Sequence, residues 1–243
     1  MKKYIALFDW DLTVRSNYAF TKWTELLMKN EIIDKNFVKD NEWLIKSYIE
    51  GKINHDEMSR EGMKIFCKHL AGTNVMDVSS INEEYKLQDD MHIHSIMREI
   101  IFPFLIKNNV EIIVITGSPQ EIVELYKEEL GISKVYGMNY YIDNGKYTGE
   151  FKYNTGLSEN KQKIIDEILN DKNIEVLFGF GDSISDIPIL KVAKQAFINN
   201  SKKFLDGDNV IYTKFKDESS GEVIVNKMSE ILSDLKVEGI DNE

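Results

Sequence analysis

Tyr4-Ile5-Ala6-Leu7-Phe8-Asp9-Trp10-Asp11-Leu12-Thr13 decides how the rest of the chain is read. A short apolar run ends in two carboxylates one residue apart, and a threonine follows. An unbroken apolar run of this length is the pattern of a strand buried on both faces of a parallel sheet. In open α/β sheets ligands bind at the carboxyl ends of such strands, which is where Asp9 and Asp11 fall. Neighbouring carboxylates repel, so they need a cation, a shared proton or open water. An isolated Asp-x-Asp is more often a helix cap or a solvated turn. Here three further polar clusters follow apolar runs, each able to serve the same site.

Composition sets the outer limits. The chain has 243 residues and is 42% hydrophobic, enough for one large domain or a core with an inserted domain. A formal charge of −11 argues against a nucleic-acid surface, which needs a basic face. The single cysteine, Cys67, excludes an internal disulfide framework and reads as a small core residue. Met1-Lys2-Lys3 imitates the start of a signal peptide, but the apolar stretch after it is short and is broken by Asp9. The run Ile100 to Ile106 is too short to span a bilayer. A soluble, cytoplasmic protein without membrane contact is expected.

After Thr13 the pattern turns helical for about eighty residues. Phe20, Trp23, Leu26 and Leu27 recur at helical spacing. Phe37, Val38, Leu44, Ile45, Tyr48 and Ile49 mark a second helix, ended by Gly51. Asn54 caps a third, which carries Met58, Met63, Ile65, Phe66 and Leu70 and stops at Gly72. Trp23, Trp43 and Tyr48 either line a substrate pocket or pack in a core, with core packing preferred. His92 and His94 lack partner ligands for a metal and read as a solvated loop. These residues predict a separate helical cap over residues 15–95, set into a core formed by residues 1–14 and 96–243.

A helix from Ile96 to Lys107 leads back to the sheet, with a kink or break expected at Pro103. Glu111-Ile112-Ile113-Val114-Ile115-Thr116-Gly117-Ser118-Pro119 then repeats the opening design. Ser118 reads as an N-cap, Pro119 as the first helical residue and Glu121 as the closing member of a capping box. That arrangement would set unpaired amides and a helix dipole beside the strand end, ready for an anion. Thr116 adds a hydroxyl, and Gly117 permits close backbone approach. A Thr-Gly turn is common, so this signal is weak alone. Lys134 to Met138 gives a third strand, and Asp143-Asn144-Gly145 turns a β-hairpin.

Ser158 to Leu169 is an amphipathic helix whose first turn carries Lys161, against the dipole. Such a lysine is usually solvated, unless an anion lies there. Ile174 to Phe180 is a further strand, ending in Gly181-Asp182-Ser183-Ile184-Ser185-Asp186. Asp182 and Asp186, four residues apart, share a face if a helix has begun. The glycines at 179 and 181 are not a dinucleotide fingerprint, since the third would fall at Ile184. The opening stretch lacks the ligands of an EF-hand. Gln195 to Ile198 suggests a last short strand, and Glu222 to Leu235 a last helix before an acidic end expected to fray.

Taken in order, Asp-x-Asp-x-Thr, Thr-Gly-Ser, a lysine at a helix start and Gly-Asp-Ser-x-x-Asp resemble the four motifs of the haloacid-dehalogenase-like hydrolase superfamily. The match spans roughly residues 4 to 200, and the helical insert is similar to the cap of its phosphoserine-phosphatase-like branch. The resemblance implies an α/β fold with a doubly wound, mostly parallel sheet, and a phosphatase acting on a small phosphorylated metabolite. It implies Mg²⁺ held by the Asp9 carboxylate, the Asp11 backbone carbonyl and Asp182. Asp186 would act through a water ligand of the metal or by orienting Lys161. Thr116, the Gly117 amide and Lys161 would bind phosphate oxygens. Asp9 would attack phosphorus to form an aspartyl-phosphate, while Asp11 serves as acid and then base. Closure of the cap would keep the Asp11 acid protonated near neutral pH.

Two positions depart from phosphoserine phosphatases. The acidic residue they carry nine past the nucleophile is Tyr18 here, and their cap arginine falls at Gly62, with Arg60 two residues away. Phosphoserine is therefore disfavoured, and the aromatic insert suits a quaternary ammonium head group such as phosphocholine. Two alternatives stand beside hydrolysis. One is a phosphotransferase. The other is a non-enzymatic, phospho-accepting regulatory domain, although those are about half as long and lack an insert.

Overall fold

The computed structural model describes the backbone of residues 2–240 and the side chains of residues 2–235. β1 (Lys3–Phe8) is followed by helices α1 (Ala19–Lys29), α2 (Asn36–Ile49), α3 (His55–Leu70), α4 (Val75–Ser80) and α5 (Asn82–Asp89). A π-helical segment, Ile96–Ile101, continues into α6 (Phe102–Lys107) and leads to β2 (Glu111–Pro119). Then come α7 (Gln120–Glu124), α8 (Lys127–Leu130), β3 (Ile132–Asp143), β4 (Lys146–Tyr153) and α9 (Ser158–Leu169). The chain closes with β5 (Ile174–Gly181), α10 (Ile187–Val192), β6 (Gln195–Ile198), β7 (Val210–Tyr212) and α11 (Glu218–Ile240).

Among the described residues these strands form one seven-stranded sheet in the order β4-β3-β2-β1-β5-β6-β7. Every pairing is parallel except the β3–β4 hairpin at one edge. The order turns back at β1, between β2 and β5, which is the crevice where open α/β sheets take their ligands. Successive residues of β1 point to opposite faces. Ala6 and Phe8 pack with Ile112, Val114, Phe178 and Phe180 on one face, where the Phe8 and Phe180 rings stack at 4.2 Å. Ile5 and Leu7 pack with Ile113, Ile115 and Val176 on the other, under Ile164 and Ile165 of α9 and Ile189 of α10. Both faces are covered, as the unbroken apolar run of β1 requires, and the sheet is doubly wound.

The cluster on the Phe8 face extends through Phe102 and Leu105 of α6 into Trp23, Leu26, Leu27 and Phe66 of the helical insert. Insert and sheet thus share one continuous apolar cluster. Asn54 caps α3 in a full capping box with Glu57, both bonds 2.9 Å. Asn144 and Gly145 turn the hairpin with φ of 48° and 77°, as an Asn-Gly turn does. Cys67 is buried in the same cluster, and burial pushes its thiol up to about 12. Among the described residues no helix is long and apolar enough to cross a membrane.

The break expected at Pro103 is present as a change from π-helical winding over Ile96–Ile101 to α6, whose first turn holds a proline with no N–H to donate. Several local expectations are corrected. Ser118 is not an N-cap: β2 stays extended through Pro119, α7 has five residues, and no side chain caps it. Trp23 is core, whereas Trp43 and Tyr48 stand exposed on α2. His92 and His94 are half-buried, in the short stretch between α5 and the π-helical segment. Their backbones bond residues 14–16, Ser16 N–H to His92 O at 2.9 Å and His94 N–H to Val14 O at 3.0 Å. The last helix starts at Glu218 and runs to Ile240; the final three residues lie outside those described.

Candidate active site

Three adjacent strands deliver their carboxyl ends to one place: β1 brings Asp9, β2 brings Thr116 and Gly117, and β5 brings Asp182. The Asp9 N–H donates to Phe180 O at 2.9 Å, fixing the start of the Asp9 turn against β5. Lys161, in the first turn of α9, is 2% exposed. Its Nζ donates to Asp9 Oδ1 at 2.8 Å and to Asp186 Oδ1 at 2.6 Å. Asp186 is fully buried, and its second oxygen accepts from the Asp182 and Ser183 amides and the Ser183 hydroxyl, each at 3.0 Å. One Asp186 oxygen thus meets Lys161, and the other meets the turn. A Cβ on Gly181 would meet the Asp186 side chain at 2.6 Å, so only glycine lets that carboxyl sit there.

The lysine expected to be solvated unless it faced an anion faces two. Burial alone would lower its pKa, but the Asp186 and Asp9 charges outweigh this and hold it above the ordinary value. Burial, helped by the Asp186 charge, pushes Asp9 up to about 7 against the pull of Lys161. Burial and the Asp9 charge push Asp182 up to about 8. Asp9, Asp182 and Asp186 can each offer an oxygen within 4.8 Å of the others. A cluster of hard oxygen donors whose charges repel fits a small divalent cation such as Mg²⁺.

On the β2 side the Thr116 hydroxyl accepts from the Ser118 N–H at 3.1 Å. The Thr155 hydroxyl bonds the Thr116 carbonyl. A Cβ on Gly117 would come within 3.0 Å of the Gly156 backbone, so the two glycines let this loop cross close to the strand end. From the insert, Ser59 meets Asn154 twice, Oγ to Oδ1 at 3.3 Å and Nδ2 to the Ser59 carbonyl at 3.2 Å.

Asp11 has its side chain 15% exposed and both oxygens in use. Oδ2 accepts from Ser118 Oγ at 2.6 Å; Oδ1 accepts from the Ala19 N–H at 2.8 Å and lies 3.5 Å from an Arg15 nitrogen. Burial raises the Asp11 pKa, opposed by Arg15, Ser118 and the Ala19 amide. Because β2 stays extended through Pro119, the helix starts one residue beyond the reach of a Ser118 cap, and the hydroxyl donates to Asp11. Ser118 and Arg15 are the site residues that sequence reasoning missed. Arg15 carried one usable signal, its place four residues after an acid.

At the rim, Tyr18 is 59% exposed. Partial burial and the Asp182 and Asp11 charges raise its phenol, and Tyr48 lies within the same electrostatic reach. Arg60 of α3 reaches Glu159 at the start of α9, 3.7 Å away, with both side chains half exposed. Gly62 sits inside α3 facing Leu44.

A family model described as haloacid dehalogenase-like hydrolase matches residues 6–191. A probable phosphatase of Mycobacterium tuberculosis is 23% identical over 210 residues, covering 82% of this chain and 70% of its own. Among solved structures, a Bordetella pertussis Tohama I protein of unknown function aligns with a TM-score of 0.67 at 15% identity, over 82% of this chain and 90% of that one. A phosphoserine phosphatase from T. onnurineus aligns with a TM-score of 0.57 at 15% identity, over 94% of both chains. The acid-and-lysine cluster at the β1 crevice and the span of the family match agree: this chain is an enzyme of the haloacid dehalogenase-like hydrolase family, with the fold of its phosphoserine-phosphatase-like branch.

Proposed function

We propose that this hydrolase is a Mg²⁺-dependent phosphatase that cleaves a small phosphorylated metabolite through an aspartyl-phosphate on Asp9. The observation that carries the reading is Lys161: a buried ammonium held by Asp186 against Asp9, at the strand end that also presents Thr116 and Gly117. A phosphate monoester is a dianion, and a carboxylate can reach its phosphorus only where positive charge offsets the repulsion. Asp9, Asp182 and the Asp11 carbonyl would hold Mg²⁺, whose charge lowers the cost of bringing the two anions together. Lys161 adds a second, fixed charge. Thr116 and the Gly117 amide hold phosphate oxygens in place, the positioning on which phosphoryl transfer mainly depends.

Asp9 then attacks phosphorus in line as the bond to the leaving oxygen breaks. Asp11 gives its proton to that oxygen, and afterwards takes one from the water that attacks the aspartyl-phosphate, releasing phosphate. Residues 15–95 serve as the cap, holding Asp11 away from bulk water through α1, whose first amide already donates to it. The acidic charge and single cysteine fit a cytoplasmic enzyme.

The test is a panel of phosphorylated metabolites assayed for phosphate release with and without Mg²⁺. Release is expected to require the metal. Choline and ethanolamine esters should outrank phosphoserine, because the acidic partner for an amino acid is replaced by Tyr18, exposed within electrostatic reach of Asp182 and Asp11, with Tyr48 near it. No preference among these esters would end the head-group idea, and no release from any ester would end the phosphatase reading. Added alcohols that lower phosphate yield and appear phosphorylated would mark a phosphotransferase instead.

Metal binding has a second readout. Asp9 and Asp182 have folded pKa values of about 7 and about 8, raised from 3.8. A raised value means the folded state holds its proton more tightly. That stabilisation is complete below the unfolded value and is lost as pH rises through the folded values. The melting temperature of metal-free protein is expected to fall as pH climbs from the unfolded value of 3.8 and to level off above about 8. Mg²⁺ should restore more of it above that window than below. Thermal melts followed by circular dichroism measure this; a Mg²⁺ effect independent of pH would show that the ion binds elsewhere.

A further inference from the structure

Arg15 is buried without any exposed surface. Its backbone is pinned by an antiparallel bridge to Ile93, flanked by the bonds from Ser16 to His92 and from His94 to Val14. One terminal nitrogen lies 3.5 Å from Asp11 Oδ1. The other donates to Asn17 Oδ1 at 2.8 Å and to the Asp89 carboxylate. Asp89, at the end of α5, is itself fully buried, and its second oxygen accepts from the Tyr126 hydroxyl at 3.1 Å. A pair with Asp89 alone would balance the buried charge. The guanidinium instead spans two carboxylates on different segments, which its planar fork of fixed donors can do and a single ammonium cannot.

We infer that Arg15 is a positioning residue for Asp11. With Asp89 and Asn17 holding the guanidinium from behind, and Tyr126 holding Asp89, Asp11 Oδ1 is fixed against Arg15 and the Ala19 amide. The carboxyl is thereby kept in one rotamer, which leaves Oδ2, met by the Ser118 hydroxyl at 2.6 Å, as the oxygen to exchange the proton. This rests on the reading of Asp11 as acid and base. Its proton passes to the leaving oxygen as the P–O bond breaks, and it later recovers one from the attacking water. Proton transfer is steeply sensitive to such alignment.

The test compares kcat/KM for an alkyl phosphate, whose leaving group needs a proton, with an aryl phosphate of an acidic phenol, whose leaving group does not. Asp11→Asn sets the reference signature, a loss on the alkyl ester far exceeding that on the aryl ester. Arg15→Lys keeps the charge but loses the fork, and is expected to lower the alkyl-to-aryl ratio by about tenfold. Asn17→Ala, which loosens the guanidinium from a half-exposed position, should move the ratio the same way by a smaller factor. A merely structural role would lower both esters together and leave the ratio unchanged. An unchanged ratio in both variants overturns the inference, and if Arg15→Lys does not fold, Asn17→Ala decides by the same ratio. Failure of the underlying reading looks different: Asp11→Asn would then lower both esters alike, without the alkyl-specific loss.

Discussion

Asp9→Asn is expected to abolish turnover, with kcat lower by on the order of 10⁴-fold or more, while the protein stays folded. The two halves of this expectation have separate grounds. Activity is lost because an amide oxygen is a poor nucleophile toward phosphorus and cannot form the acyl phosphate. Stability is kept because Asp9 sits among like charges, with a carboxyl already pushed up to about 7. Asparagine removes one negative charge from that cluster and can still accept the Lys161 hydrogen bond now made at 2.8 Å. The melting temperature of the metal-free variant should therefore equal or exceed that of wild type above neutral pH. Acid-quenched protein exposed to labelled substrate should carry hydroxylamine-sensitive label in wild type and none in the variant. Equal hydrolysis of a generic aryl phosphate by the two proteins would remove Asp9 from the role of nucleophile.

What the sequence disclosed and what it withheld divide along a physical line. β1, β2 and β5 were legible because strands buried on both faces must be apolar throughout, and each ended abruptly in polar residues. The third of Asn54's residues onward is Glu57, so the start of α3 was written in local spacing. Asp9, Thr116, Lys161 and Asp182 could be grouped because each stood at a recognisable strand end or helix start, and the structure brings them to one crevice. Ser118 was misread because its local pattern is a good cap, and nothing local shows that β2 stays extended through Pro119 or that a carboxylate 107 residues earlier accepts from its hydroxyl. The Arg15–Asp89 pair, 74 residues apart, was invisible for the same reason. Long-range polar pairs leave no periodicity. Their existence follows only from burial, which periodicity reports for apolar residues alone.

Replacing Lys161 by methionine should do the opposite of Asp9→Asn and damage fold and activity together. The ammonium is 3% exposed and lies between Asp9 and Asp186, at 2.8 and 2.6 Å. Taking one partner from a buried ion cluster leaves the others uncompensated, at a cost of about 3–5 kcal/mol, a large share of the stability of any domain. Methionine fills most of the space, so the loss reports on charge and not on a cavity. The pH dependence separates the contributions. Lys161 has its pKa held above the ordinary value, so it stays charged throughout the working range. Any change in the deficit with pH must come from the carboxylates. Without the lysine they bind protons more tightly still in the folded state, so the deficit should be largest above the values of about 7 and 8 for Asp9 and Asp182 and shrink as pH falls through them. Mg²⁺ should recover more stability in the variant than in wild type, since it faces the same unbalanced charges. It should not recover turnover, because the phosphate would still lack the fixed charge of the Lys161 ammonium. Denaturant titrations at two pH values, with and without Mg²⁺, measure all of this, and a deficit that ignores both pH and metal would mean that Lys161 is held by packing and not by the acids around it.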